Sequence, residues 1–155
     1  MSSGNGGPFE LGTDGPTTIL VGVDDSTTSL RAASYAAGLA RRQGARITAV
    51  YVAPIASPTA AGLGGAALIV AQRDAHDEIA MDMRRRAAEV SRELGISVTL
   101  VAARGDPFTE LSRVAEEIRA DAIVVGASTK AGHRLIGSLA VRLVRAGKWP
   151  VTVVP

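Results

Sequence analysis

Thr18-Ile-Leu-Val-Gly-Val23 runs straight into Asp24-Asp25-Ser26, and from Thr27 to about Gln43 the chain reads as a helix that stops at Gly44. The opening run is short, rich in β-branched residues and apolar without a break, as a strand buried on both faces must be. Ser26 offers a side-chain oxygen to the first unpaired N–H groups of the helix, and Gly44 offers the left-handed residue that ends it. Strand, capped turn and helix in immediate succession make the first half of a parallel crossover unit.

The same alternation continues to the C-terminus. Ile47-Thr-Ala-Val-Tyr-Val52, Ile96-Ser-Val-Thr-Leu-Val101, Ala122-Ile-Val-Val125 and Val151-Thr-Val-Val154 all suit buried strands bounded by turn residues. Between them, Ile69, His76, Ala80, Met83, Ala87, Val90 and Leu94 form an apolar or small-residue stripe at three- and four-residue spacing, closed by Gly95. Asp106-Pro107 opens a third helix, a cap followed by proline at the first helical position, which continues through Leu111, Val114 and Ile118. A fourth helix begins near Ser138 and ends at Gly147. The fold class is therefore α/β, a parallel sheet covered by helices on both faces.

A chain of 155 residues is one domain in size. Residues 1–16 carry five glycines, two prolines and few large apolar groups, so a flexible N-terminal leader is expected there, with the folded domain spanning 17–155. There is no cysteine, which excludes disulfide scaffolds, thiol nucleophiles and cysteine zinc sites. The aromatic residues are only Phe9, Tyr35, Tyr51, Phe108 and Trp149, too few for a base-stacking platform. A net charge of +2 argues against a general nucleic-acid binder. The longest uncharged stretch, Ile47 to Gln72, is broken by Pro54, Pro58 and several glycines and does not read as a membrane span. No signal peptide pattern is visible, and a cytoplasmic location is expected.

Open sheets of this kind bind ligands beyond the carboxyl ends of their strands. The loop after the fourth strand, Gly126 to Ser138, is rich in glycine and small hydroxyl residues and carries Lys130 and Arg134. Such a loop feeding a helix can bring backbone N–H groups and a positive helix end to a phosphate. Gly132 and Gly137 have the spacing of a Walker A loop, but Ser138 stands where its lysine belongs, and no P-loop is assigned. After Asp121 there is no acidic residue, while Lys130, Arg134, Arg142, Arg145 and Lys148 follow; the stretch suits an anionic ligand or a solvated helix face. Asp24 can accept a hydrogen bond from a ribose or an adenine amino group, or it can serve with Asp25 and Ser26 as a helix cap. His76 reads as a packing residue, His133 as a phosphate neighbour, and the dense acids Asp74, Asp77, Glu78 and Asp82 as a solvated helix face. Asp24, His133 and Ser138 share one sheet edge, though a catalytic triad is defined by geometry that spacing does not supply.

Taken together, Ile19-Leu-Val-Gly-Val-Asp24 with Ser26, Gly105-Asp-Pro107, Ala120-Asp-Ala-Ile-Val-Val-Gly126, Gly137-Ser138 and Trp149-Pro-Val-Thr-Val-Val154 resemble the universal stress protein family over about residues 17–155. The resemblance implies a sandwich with a five-stranded parallel sheet, order 3-2-1-4-5, four helices, and a homodimer built through the last strand. Members of the family divide into those that bind ATP and those that do not; a degenerate, weak adenine-nucleotide site for ATP, ADP or AMP is expected here, with Mg2+ only alongside a triphosphate. Carried over by position, Asp24 meets the adenosine half, Val52 meets adenine through its backbone, and Gly126, Gly137 and Ser138 meet phosphates; Thr129, Lys130 and Gly132 complete the loop. The family's nucleotide binders carry Gly, two residues, Gly, nine residues, then Gly-Ser or Gly-Thr. Here Thr129 replaces the second glycine, only seven residues separate it from Gly137, and Asp25 stands where the family usually has glycine. Two readings follow: a stress-response regulator with a weak nucleotide site, or a dimeric interaction module with a degenerate pocket that acts through protein partners. No evident general base is present, so at most slow ATP hydrolysis is expected.

Overall fold

The computed structural model describes residues 15–55, 64–128 and 137–155. Within them, strand and helix alternate as β1 (Thr18–Val23), α1 (Thr27–Gln43), β2 (Arg46–Ala53), α2 (Gly65–Leu94), β3 (Val98–Arg104), α3 (Pro107–Glu117), β4 (Ala122–Gly126), α4 (Ser138–Ala146) and β5 (Val151–Val154). The five strands form one parallel sheet in the order β3-β2-β1-β4-β5. This is the three-layer α/β arrangement expected. Most of the expected leader, residues 1–14, lies outside the described residues.

Because strand side chains alternate, each strand contributes to two cores. Ile19 and Val21 of β1, Ile47 and Ala49 of β2 and Val124 of β4 pack beneath α1, joined by Ile96. Leu20, Val50, Ile123 and Val125 point the other way, to Leu111 and Val114 of α3 and Leu143 of α4. Each fully buried Leu or Ile contributes ~1.5–3 kcal/mol relative to exposure. The amino end of the sheet is stapled by Asp121, whose Oδ2 accepts from the Thr17 N–H, the Thr17 hydroxyl and the Thr18 N–H, each at 2.9 Å. Burial alone would raise the Asp121 pKa, but these hydrogen bonds and the charge of Arg46 bring it below the ordinary value.

β2 is one residue longer at each end and β4 one longer at its carboxyl end than the sequence reading, and the larger differences are at β3 and α2. β3 covers Val98–Arg104 instead of 96–101, paired residue for residue from Ile47↔Val98 to Ala53↔Arg104. Ile96 is buried in the turn before it, where its carbonyl accepts from the Ser91 hydroxyl at 2.6 Å. Its apolarity therefore reports burial, not pairing, while the edge position of β3 tolerates the exposed Thr99 and Arg104. α2 begins at Gly65, ahead of its apolar stripe. His76 is half-buried, with Nδ1 2.6 Å from the Tyr51 hydroxyl. Asp77 pairs with Arg104, and Asp82 with Arg85 and Arg86, on an exposed helix face. Among the described residues, no helix is long and apolar enough to cross a membrane, and no acid or histidine cluster suits a metal ion.

Candidate functional site

Strand order reverses between β1 and β4: the chain after β1 moves toward β2 and β3, and the chain after β4 moves toward β5. At the carboxyl ends of these two strands lies a cavity of about 300 Å³. Its floor is apolar, built from Gly22, Val50, Val52 and Val125, with Pro107 and Leu111 forming one wall. Gly22 keeps that floor deep. A Cβ there would lie 3.1 Å from Leu111 Cδ2 and 3.3 Å from Val125 Cγ1. The rim is polar, with Asp24, Ser26, Thr28, Ser29, Ser128 and Ser138.

The turn after β1 shows why Asp24 reads two ways. Its Oδ1 accepts from the Ser26 N–H at 3.1 Å, a local turn, while its own N–H donates to Ser29 Oγ at 3.2 Å. The helix cap proper is Ser26, whose Oγ accepts from the Ser29 N–H at 3.2 Å. Asp24 thus fixes the turn and also lines the cavity. Asp25 between them has φ 64, a left-handed conformation that Asp tolerates better than most residues.

Val52 is placed by the ladder. The Ala53 carbonyl faces β3, where it accepts from the Gly105 N–H at 2.9 Å, so the Val52 carbonyl faces the β1 side. The β1–β2 register ends at Val23↔Tyr51, which leaves the Val52 carbonyl one step past the last paired residue of β1.

Gly126 and Gly137 differ in what they require. A Cβ on Gly126 would lie 2.5 Å from the Thr28 carbonyl carbon and 2.7 Å from the Ser29 nitrogen, so this glycine lets the first turn of α1 sit directly on β4. Gly137 is extended (φ −60, ψ 157), and a Cβ there would meet the Cβ of Ser128 at 2.7 Å. Both glycines line the cavity, as does Ser138 at the start of α4. Thr129, Lys130, Gly132 and His133 lie outside the described residues.

Three helices present their first turns to the cavity, through Ser26 and Thr28 of α1, Pro107 of α3, and Ser138 of α4. Helix N-termini favour negative charge. The starts of α1 and α3 are capped by their own side chains, Ser26 and Asp106, whereas α4 has no side-chain cap. Among the described residues no side chain caps the α4 end, and a helix start of this kind can offer backbone donors to an anion. Asp106 accepts from Arg142 and from the N–H and hydroxyl of Thr109, and this holds its pKa down to about 2.

Of the residues expected from sequence, Asp24, Val52, Gly126, Gly137 and Ser138 come together here. Gly22, Pro107, Leu111, Thr28, Ser29 and Ser128 were not anticipated. The signal for Gly22 was present, since Leu20, Gly22, Val50 and Val52 occupy alternating positions on one face of two adjacent strands.

The model of the universal stress protein family matches residues 16–155. Universal stress protein MJ0531 of Methanocaldococcus jannaschii is 28% identical over 138 residues, covering 88% of this chain and 80% of that protein. Universal stress protein UspA from Lactobacillus plantarum superposes with a TM-score of 0.77 at 28% identity, over 90% of this chain and 97% of that one. The fold is shared with a universal stress protein solved in complex with cAMP (TM-score 0.64, 24% identity, 91% and 98% coverage). It is also shared with one from Archaeoglobus fulgidus in complex with dAMP (TM-score 0.61, 20% identity, 90% and 98% coverage).

Proposed function

Because this chain belongs to the universal stress protein family, we propose that its cavity binds an adenine nucleotide weakly and that occupancy regulates how the protein engages protein partners in a stress response. The observation that carries the reading is a single cavity with an apolar floor at one side and the uncapped start of α4 at the other. Adenine fits between Val52, Pro107 and Leu111, with its amino group donating to the Val52 carbonyl. Asp24 accepts from the ribose hydroxyls, and the N–H groups at Gly137 and Ser138 hold phosphate. Relatives of the same fold bind cAMP and dAMP, both adenine monophosphates, which supports this ligand class.

A cavity of about 300 Å³ is at the small end of ligand sites, and Thr129 with the shortened loop reduces the reach around a triphosphate. AMP and ADP therefore bind as well as ATP, with Mg2+ needed only alongside ATP. Asp24 is the only ionisable side chain among the described lining residues, and it is occupied in a turn, so hydrolysis is slow at most. The protein acts in the cytoplasm as a homodimer joined along β5, an edge strand whose Val151–Val154 residues are only partly buried. In sedimentation experiments Val153→Lys is expected to yield monomer; an unchanged dimer would place the interface elsewhere.

The shortened loop also favours a second reading, an interaction module without nucleotide. Calorimetric titration with AMP, ADP and ATP at low and high salt separates the two. The nucleotide reading predicts comparable affinities for all three, weakening with salt. No heat at millimolar ligand would leave the interaction module.

A further inference from the structure

We infer that Asp106 and Arg142, just outside the lining residues, form a clasp that ties α3 to α4 and sets the width of the cavity those helices line, making Arg142 a positioning residue for whatever the cavity holds. Arg142 reaches from α4 to the cap residue of α3 in a two-pronged contact: NH1 donates to Oδ1 at 2.9 Å and NH2 to Oδ2 at 3.1 Å. The guanidinium also lies over the Phe108 ring, 4.4 Å from its centroid, so its plane is fixed from a second direction. The partners stand 36 positions apart in sequence and join two helices whose first turns both line the cavity.

The connectivity makes a closed ring. Pro107, next to Asp106, lines the cavity; Ser138 lines it too, and Arg142 lies one helical turn further along the same face of α4. Pro107–Asp106, the ion pair, and Arg142–Ser138 thus bridge the gap between α3 and α4. Asp106 keeps the α3 cap through Thr109 whether or not Arg142 is present, because Thr109 N–H and hydroxyl contact Oδ2 at 3.0 and 2.9 Å. Removing Arg142 therefore isolates the clasp from the cap. An exposed ion pair adds little to stability as such. Its effect here is on geometry, since it ties the cap of α3 to the second turn of α4 beside the apolar core the two helices share.

The inference rests on the nucleotide reading only for its binding test. Arg142→Ala, Arg142→Lys and Asp106→Asn are compared with the wild type in full-length protein by AMP titration and by amide hydrogen exchange. Arg142→Ala is expected to weaken AMP at least tenfold; Asp106→Asn weakens it similarly, the double variant is no worse than either single one, and Arg142→Lys recovers part of the loss. Exchange is expected to quicken in the first turns of α3 and α4 and to stay unchanged in α1. A wild type that binds no AMP defeats the nucleotide reading, and the exchange pattern then decides the clasp alone. Unchanged exchange at both first turns, or unaltered AMP affinity in Arg142→Ala, overturns it.

Discussion

The two faces of the sheet are packed by different means. Under α1, the helix buries Ala32, Ala36, Ala37 and Ala40, side chains so small that the helix lies close to the strands along its whole length. At its first turn only Gly126 allows the contact at all. On the other face, α3 and α4 bury the larger Leu111, Val114 and Leu143, and they hold the carboxyl edge of the sheet open above Gly22. Close packing by small residues leaves no room for a ligand, whereas bulky helices spaced around a glycine leave a cavity. A missing side chain thus serves opposite ends on the two faces: at Gly126 it admits a helix, at Gly22 it keeps a hollow.

The sharpest way to break this contrast is to fill the glycine that admits the helix. Gly126→Val forces a branched side chain against the α1 backbone, so its cost is expected at or above the ~1–3 kcal/mol usual for overpacking, read as a large fall in denaturant midpoint. Gly22→Val fills the hollow instead. Its atoms can extend into the cavity, so the stability loss stays near the lower end of ~1–3 kcal/mol while AMP binding is lost. If Gly22→Val left AMP binding intact, the base would not occupy that floor.

Acid acts on the α3–α4 side through Asp106. Asp106 is held down to about 2 by Arg142 and Thr109, below the ~3.9 of an unperturbed Asp. A group with a lowered folded pKa stabilises fully above its unfolded value and loses that contribution as pH falls toward the folded one. Stability is therefore expected to decline between about pH 4 and pH 2, less steeply in Arg142→Ala than in the wild type; parallel curves would remove the ion pair from the account. The smallest effect lies outside both faces, at Arg119, a non-glycine residue with φ 53 after α3. Arg119→Gly is expected to gain about 1 kcal/mol in denaturant unfolding, and a loss would mean that its side chain contributes more than its backbone costs.

Much of the fold was legible because the informative signals are local. Strand β1, the cap at Ser26 and the stop at Gly44 each declare themselves within a few residues, and the Asp106-Pro107 opening of α3 does the same. The β3 boundary was misplaced because Ile96 is buried without pairing, which apolarity alone does not distinguish from a strand. The departure at Asp25 was visible, but its reason, a positive φ that glycine meets without strain, is a backbone property. Asp24, Val52, Gly137 and Ser138, carried over by position from the family resemblance, all line the one cavity. Gly126 was assigned to phosphate, and its tight approach to α1 emerges only when the helix is set on the sheet. The Asp106–Arg142 contact joins residues far apart in sequence, each of which had a sufficient local explanation of its own.

If the hollow on the α3–α4 face is the nucleotide site, the α1 face takes no part in binding beyond its first turn. Titrating isotope-labelled protein with AMP and following every backbone amide tests this directly. Saturable shifts are expected at Gly22, Val52, Ser128 and Ser138, with Ala36, Ala40 and Ala49 unmoved; shifts confined to the α1 face, or none at millimolar AMP, would place the nucleotide elsewhere or nowhere.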